Sequence, residues 1–262
     1  MGRFHRHDDG TVHSHDHGDH PHSHGEHTHS HEDLGDHSGY ATGNDRIEVL
    51  ERIFDENDHA AAHNREALDA AGVISVNLMS SPGSGKTTLL ERTLEVIAPQ
   101  KKVGIIEGDI ETALDADRLA TNAHQVSLLN TGDGFGGECH LDAPMVAHAM
   151  ERLDLDDLDL LLIENVGNLV CPAEFEVGAH KRAMVISVTE GEDKPLKYPV
   201  MFRNVDAVVV NKTDLLPYLD FDLDLLLNNI RQVNPGAEII LTSATKGEGI
   251  DKWVDWLSEQ SK

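Results

Sequence analysis

Residues 80–87 read Ser-Ser-Pro-Gly-Ser-Gly-Lys-Thr, which has the residue types and spacing of a phosphate-binding loop. Glycines let backbone N–H groups wrap a phosphate chain, while the lysine reaches the outer phosphates and the threonine hydroxyl coordinates Mg²⁺. Ser80 replaces the usual first glycine, a mild departure because the later positions carry the more demanding chemistry. The residues predicted to bind a nucleotide here are Gly83, Ser84, Gly85, Lys86, Thr87 and Thr88.

Two later segments indicate which nucleotide. Residues 211–214 read Asn-Lys-Thr-Asp and resemble the NKxD signature of GTPases, in which the aspartate accepts two hydrogen bonds from guanine and the lysine stem packs on the base. Adenine offers no such donor pair, so Asp214 selects against ATP. The Ser-Ala-Thr sequence at 243–245 is typical of the loop that contacts the guanine oxygen. We therefore predict GTP, bound by Asn211, Lys212, Asp214, Ser243 and Ala244.

Two acidic positions are candidates for the hydrolytic chemistry. Glu164 begins a Glu-Asn-Val-Gly segment similar to the DxxG switch, so Glu164 would hold Mg²⁺ while the Gly167 N–H meets the terminal phosphate. Asp109 is a further candidate for Mg²⁺ or for positioning the attacking water; its alternative role is a helix cap. No arginine is identified as a charge stabiliser, which predicts slow hydrolysis. The candidate catalytic residues are Lys86, Thr87, Asp109, Glu164 and Gly167, with Thr87, Asp109 and Glu164 as magnesium ligands.

The elements that position these motifs are short apolar runs that alternate with helical stretches beyond Gly72. Near-continuous apolar strands separated by helices predict an α/β fold, with a doubly wound, mostly parallel sheet of the P-loop NTPase type. Ligands bind at the carboxyl ends of such strands, where the motifs fall. The predicted strands are Val73–Met79, Val103–Ile106, Val126–Leu129, Leu160–Ile163, Met184–Val188, Ala207–Val210 and Glu238–Leu241.

The beginning of the chain has a different composition. Residues 1–44 form a low-complexity tail with almost nothing apolar to bury, so we predict disorder. Imidazoles spaced along such a tail bind nickel, zinc or copper; an expression tag is the alternative. We predict a helical segment at 45–72 and one nucleotide-binding domain at 73–262. The tail histidines are His5, His7, His13, His15, His17, His20, His22, His24, His27, His29, His31 and His37.

The acidic balance of the chain limits its partners and compartment. With 47 acidic against 21 basic residues the formal charge is −26, which disfavours nucleic acid and anionic membranes. Such self-repulsion fits a salt-adapted source, although an ordinary acidic enzyme is the alternative. No leader or membrane-spanning run is recognised, and two cysteines are too few for a disulfide framework. A cytoplasmic setting is expected.

From about residue 44 onward, the chain resembles HypB, the family of hydrogenase-maturation GTPases that handle nickel. The resemblance rests on the segments SSPGSGKT, GDIETALDADR, CHLDA, ENVGNLVCPAEF, NKTD and SAT. It implies a SIMIBI-class GTPase that dimerises when GTP binds, carries a metal site at the dimer interface and delivers nickel. It also implies two partners, a nickel chaperone of the HypA type and the precursor of the hydrogenase large subunit. The alternatives are a urease-type accessory GTPase and a nickel or zinc buffer.

The same resemblance assigns Cys139, His140 and Cys171 to the metal site, with nickel or zinc as the ion. These three groups are fewer than a closed structural zinc site needs, so a second subunit is expected to complete the shell. A helix predicted over residues 141–153 places Cys139 near a helix start, where the dipole favours the thiolate. Because Cys171 follows Gly167 by four positions, movement of the phosphate sensor would reach a metal ligand.

Overall fold

The apolar runs of the sequence form a seven-stranded parallel sheet in the computed structural model of the protein. The structure describes residues 5–6, 12–13, 44–109, 118–130 and 140–260, and of residues 5–6, 12–13, 44–51, 109 and 130 it describes the backbone alone. The chain divides into two units, Met1–Asp45 and Arg46–Lys262. In the first unit, His5–Arg6 (β1) pairs antiparallel with Val12–His13 (β2).

The large sheet belongs to the second unit, and its strands follow the order β5-β4-β6-β3-β7-β8-β9. Every neighbouring pair is parallel. The predicted α/β class with a doubly wound parallel sheet is therefore confirmed. The strands are Ile74–Ser80 (β3), Val103–Asp109 (β4), Gln125–Asn130 (β5), Leu160–Gly167 (β6), Lys181–Ser187 (β7), Ala207–Asn211 (β8) and Glu238–Leu241 (β9).

Helices cover both faces of this sheet. In the described part of the chain no helix is both long and apolar enough to cross a bilayer. Among the residues that the structure describes, short 3₁₀ helices cover Leu155–Asp157, Cys171–Ala173 and Thr213–Tyr218. The α-helices are Asn44–Ala71 (α1), Lys86–Ile97 (α2), Ala143–Met150 (α3), Lys194–Lys197 (α4), Pro199–Arg203 (α5), Leu223–Val233 (α6) and Ile250–Gln260 (α7).

Strand β6 shows why the sheet needs helices on both sides. Successive side chains of a strand point to opposite faces. Leu160 and Leu162 pack into the core formed with α2 and α7, whereas Leu161 and Ile163 pack into the core formed with α1 and α3. All four side chains are fully buried. This double burial holds the carboxyl end of β6, which carries the switch residues, in a fixed place.

Within the second unit, helix α1 is held against its neighbours by two buried asparagines. The Asn64 amide donates to the carbonyl oxygens of Ala143 at 2.8 Å and Val177 at 3.1 Å. Asn57 donates to the Glu176 carbonyl and accepts from the Ala143 N–H, both at 2.9 Å. Both α1 side chains are nearly inaccessible to water. They satisfy backbone groups that would otherwise be buried without partners.

We expect Asn64→Ala to lower the free energy of unfolding by about 1–3 kcal/mol, because it leaves the two buried carbonyl oxygens without their side-chain donor. Urea denaturation monitored by circular dichroism measures the change. His63→Ala is the matched control, since His63 is exposed on the same helix. Equal midpoints for the two variants would contradict the attachment.

Candidate functional site

A pocket of about 430 Å³ lies at the carboxyl ends of β3, β4 and β6. The whole predicted phosphate loop, from Ser80 to Thr88, contributes to its wall. The opposite side is formed by Glu107, Gly108, Arg118, Glu164, Val166 and Gly167. The sheet therefore brings together segments that are far apart in the sequence, as a ligand site at strand ends requires.

Two glycines give the phosphate loop its shape. Gly83 and Gly85 have φ values of 73° and 92°, in the left-handed region that other residues avoid. A β-carbon on Gly85 would also lie 2.6 Å from the Asn211 side-chain nitrogen. Lys86 is the first residue of α2, so the loop opens directly onto a helix N-terminus that favours anions.

Glu164 contacts two functional residues of the phosphate loop, Lys86 and Thr87. Its Oε1 accepts from the Thr87 hydroxyl at 2.8 Å and lies 3.1 Å from Lys86 Nζ. Its side chain is only 3% exposed, and its Oε2 is buried without a hydrogen-bond partner among the described residues. A hydroxyl and a carboxylate are the hard oxygen ligands that Mg²⁺ prefers, so the donor set fits the predicted ion.

Two further predicted switch residues lie beside Glu164 in this region, and the structure describes Gly167 in full but only the backbone of Asp109. Gly167 lies against the phosphate loop, since a β-carbon there would approach Pro82 Cα to 3.1 Å. Asp109 ends β4 beside this pocket, but its side chain lies outside the described residues. The structure thus places Lys86, Thr87, Glu164 and Gly167 together.

The predicted guanine motif is linked to the phosphate loop through Asn211. Its amide donates to the Ser84 carbonyl at 3.0 Å, and its Oδ1 accepts from the Ala244 N–H at 3.1 Å. Lys212 Nζ donates to the Gly83 carbonyl at 2.5 Å. The three segments therefore form one hydrogen-bonded assembly.

Asp214 occupies the other end of this assembly. Its Oδ1 accepts from the Ser243 hydroxyl at 2.6 Å, which fixes one carboxylate oxygen. Ser243 also closes its own loop, because its N–H donates to the Glu248 carbonyl at 2.9 Å. The predicted base-recognition residues are thus held by main-chain and side-chain bonds.

This fold and this pocket together define a P-loop nucleotide-binding protein. Residues 74–241 match the family described as CobW/HypB/UreG, nucleotide-binding domain. The hydrogenase maturation factor HypB of Escherichia coli K12 is 48% identical over 228 residues, which cover 87% of this chain and 77% of that protein. The chain belongs to the HypB family of hydrogenase maturation factors.

Two solved structures have the same architecture. The hydrogenase maturation factor HypB of Archaeoglobus fulgidus superimposes with a TM-score of 0.73 at 39% identity, over 79% of this chain and 99% of that one. HypB of Helicobacter pylori, solved in complex with nickel, has a TM-score of 0.73 at 37% identity, over 79% and 95% of the two chains.

The predicted metal residues are described in part. Cys139 lies outside the described residues. Cys171 is half-buried and begins a 3₁₀ helix, and the His140 ring packs on the Phe175 ring with centroids 4.1 Å apart. Phe175 follows Cys171 by four positions, so His140 contacts the segment that carries the cysteine. Among the described side chains, no three His, Cys, Asp or Glu residues form a metal-binding group.

The helix beyond His140 is shorter than the predicted span 141–153, and the prediction of its start was wrong. It begins at Ala143, because Asp142 caps it by accepting from the Met145 N–H at 2.8 Å. Cys139 therefore precedes the first helical residue by four positions. Of the tail histidines, only the backbone of His5 and His13 is described.

Sequence reasoning missed three residues at the pocket. Glu107 is buried on β4 and pairs in register with Glu164 on β6. Glu190 accepts from the Ser81 hydroxyl of the phosphate loop and from the Ser187 N–H. Arg118 also lines the pocket. Glu107 stands two positions before Asp109, and Arg118 ends the GDIETALDADR segment, so a recognised motif could have indicated both. Glu190 belongs to no recognised motif.

A second hollow of about 420 Å³ adjoins the phosphate loop on the side of Cys171. Apolar side chains are exposed near it, with Val170 at 54% and Val200 at 50%. On the next helix, a hydrogen bond from Lys197 lowers the pKa of Asp193, and the same bond raises the pKa of Lys197. Of these residues only Val170 lines the hollow itself, together with charged residues such as Glu190 and Lys194.

Proposed function

We propose that this chain is a GTP-hydrolysing nickel metallochaperone that acts in the maturation of a nickel-iron hydrogenase. Family membership supports the maturation role, and the nickel in the Helicobacter pylori relative supports the cargo. GTP-dependent pairing of two chains would bring together two copies of Cys139, His140 and Cys171. The proposed partners are a HypA-type nickel chaperone and the hydrogenase large-subunit precursor.

One observation carries this proposal: a short stretch of chain joins the phosphate pocket to a cysteine. Glu164 contacts Lys86 and Thr87, and Gly167 lies against the phosphate loop. The next helix along the chain is the 3₁₀ helix that begins at Cys171, four positions after Gly167. A terminal phosphate that orders this stretch would therefore move a thiolate ligand.

The proposed hydrolysis uses residues already assembled in the pocket. The oxygen of water bonds to the terminal phosphorus as the bond to the GDP oxygen breaks, and the proton that this water loses is carried by the released phosphate. Lys86 and the Gly167 N–H stabilise the charge on the transferring group. Bound Mg²⁺ would neutralise phosphate charge, held by Thr87 and Glu164. Asp109 is proposed to orient the attacking water or to join the magnesium ligands.

The test is a nickel titration of the full chain with a GTP analogue and with GDP, read alongside molecular mass. We expect a dimer with the GTP analogue, a monomer with GDP, and a different nickel affinity in the two states. Identical mass and identical nickel affinity in both states would refute the coupling.

Cys171→Ala is expected to weaken the tightest nickel site at least about tenfold, because it removes a thiolate ligand, and to leave the Kd for GTP within about twofold. Isothermal titration with nickel and with a GTP analogue measures both. Cys139→Ala and His140→Ala should behave alike. His148→Ala is the matched control, since that exposed histidine contacts Glu151 and Arg152 instead. Unchanged nickel affinity in all three site variants would exclude the assignment.

A nickel buffer, with the GTPase secondary, is the second candidate function. The concentration of twelve of the eighteen histidines in residues 1–44 favours it. Removal of that tail separates the two functions. Without the tail the chain would bind fewer nickel ions, so its storage capacity would be lost. Delivery of nickel to an apo-hydrogenase precursor should survive if it depends on the GTPase site.

A further inference from the structure

The guanidinium of Arg118 lies at the wall of the phosphate pocket. Its Nε and NH2 atoms donate to the two carboxylate oxygens of Glu91 at 2.8 and 2.6 Å, a bidentate pair. NH2 also lies 3.3 Å from the hydroxyl of Thr88. Thr88 and Glu91 belong to the first turns of α2, directly after the phosphate loop. Arg118 is therefore held against the helix end that receives phosphates.

The described cations of this pocket already contact carboxylates of the protein. Among the described residues of its wall the cations are Lys86 and Arg118, and each is paired with a carboxylate, Glu164 and Glu91 respectively. A nucleotide brings several negative charges to a chain whose own formal charge is −26. Binding is favoured if both cations leave their carboxylates and contact the phosphates.

The Arg118 pair is suited to such an exchange. Its side chains are 43% and 27% exposed, so water weakens the attraction between them. The planar guanidinium binds a phosphate with the same bidentate geometry that it uses for a carboxylate. Phosphate at the α2 N-terminus is further stabilised by the helix dipole, which Glu91, beyond the first turn, feels less.

We propose that Arg118 binds the phosphate chain shared by GDP and GTP, and that Glu91 holds it in place until the nucleotide arrives. This inference rests on the nucleotide binding proposed above. Arg118 exchanges a carboxylate for a phosphate without a large movement, because Thr88 already keeps it beside the loop. Glu91 is thus a competitor of the nucleotide, and Arg118 is a binding residue.

Equilibrium binding of fluorescent GDP and a fluorescent GTP analogue to the full chain tests the exchange. Arg118→Gln is expected to raise both Kd values about tenfold, since a charged contact is lost. Glu91→Gln is expected to lower both about threefold, because the competitor is gone. Arg118→Lys should fall between Arg118→Gln and the unaltered protein. Lys181→Gln is the matched control, as Lys181 pairs with Asp206 at the amino end of β7, away from the strand ends that form the pocket.

The opposite signs separate this role from a structural one. If the pair only ties residue 118 to α2, Arg118→Gln and Glu91→Gln will weaken binding alike, which would overturn the proposal. An effect on GTP alone, or no effect of Arg118→Gln, would also overturn it. If the unaltered protein binds neither nucleotide, the proposed function fails instead. Thermal midpoints of all variants confirm that each one folds.

Discussion

Lys86→Ala is expected to reduce GTP turnover at least a hundredfold and to lower the free energy of unfolding by about 3 kcal/mol. The first effect follows from loss of the charge that faces the transferring phosphate. The second follows from burial: Lys86 is 11% exposed and Glu164 3%, so the variant leaves a buried carboxylate without its cation. Phosphate release and urea denaturation measure the two quantities.

The double variant Lys86→Ala with Glu164→Gln separates these effects. Neutralising the carboxylate should restore most of the lost stability, whereas turnover should stay low because both phosphate-site groups are gone. Lys252→Ala on α7 is the control for removal of an exposed cation and should change neither quantity appreciably. A stability loss that persists in the double variant would contradict the burial argument.

Features that depend on local sequence were predictable. The seven strands appear close to their predicted places because each follows a short apolar run, which in the inner strands is buried on both faces, and the sheet type follows from the alternation with helices. The phosphate loop was recognisable because its chemistry requires fixed residues at fixed spacing. The strand end that brings Glu164 to Lys86 follows from the same topology.

Features that depend on pairing between distant residues were not predictable. Nothing near Arg118 in the sequence identifies Glu91 as its partner, and nothing near Glu190 identifies Ser81. The docking of α1 through Asn64 likewise joins residues on different elements. The start of α3 is a local error: the helix was predicted from residue 141, but Asp142 caps it and its first residue is Ala143.

Hydrogen bonds join the predicted base site to the phosphate pocket, so a substitution in one is expected to affect binding at the other. Asn211 joins the phosphate loop to the Ala244 loop, and Gly85 must lack a side chain for Asn211 to approach. The predicted specificity for guanine would therefore depend on the same framework as the predicted phosphate loop. A variant that alters recognition of the base alone must leave Asn211 untouched.

Asp214→Asn is such a variant, and we expect it to raise the Kd for GTP at least a hundredfold. The carboxylate is proposed to accept two hydrogen bonds from guanine. The amide of asparagine keeps one acceptor oxygen, but its NH₂ group would face a second N–H donor of the guanine. A hundredfold loss corresponds to about 2.7 kcal/mol, within the range of about 1.5–3 kcal/mol for the loss of one hydrogen bond to a charged group. Xanthosine triphosphate, with a carbonyl where guanine has an amino group, should bind the variant better than GTP does.

Competition binding with GTP, ATP and xanthosine triphosphate measures the exchange of specificity. Ser243→Ala should weaken GTP only about tenfold or less, because it removes the hydroxyl that orients Asp214 but keeps the carboxylate. Asp220→Asn, an exposed change of equal charge, is the control and should bind GTP normally. Equal loss of GTP and xanthosine triphosphate in Asp214→Asn would mean that the residue supports the fold of the loop and does not read the base.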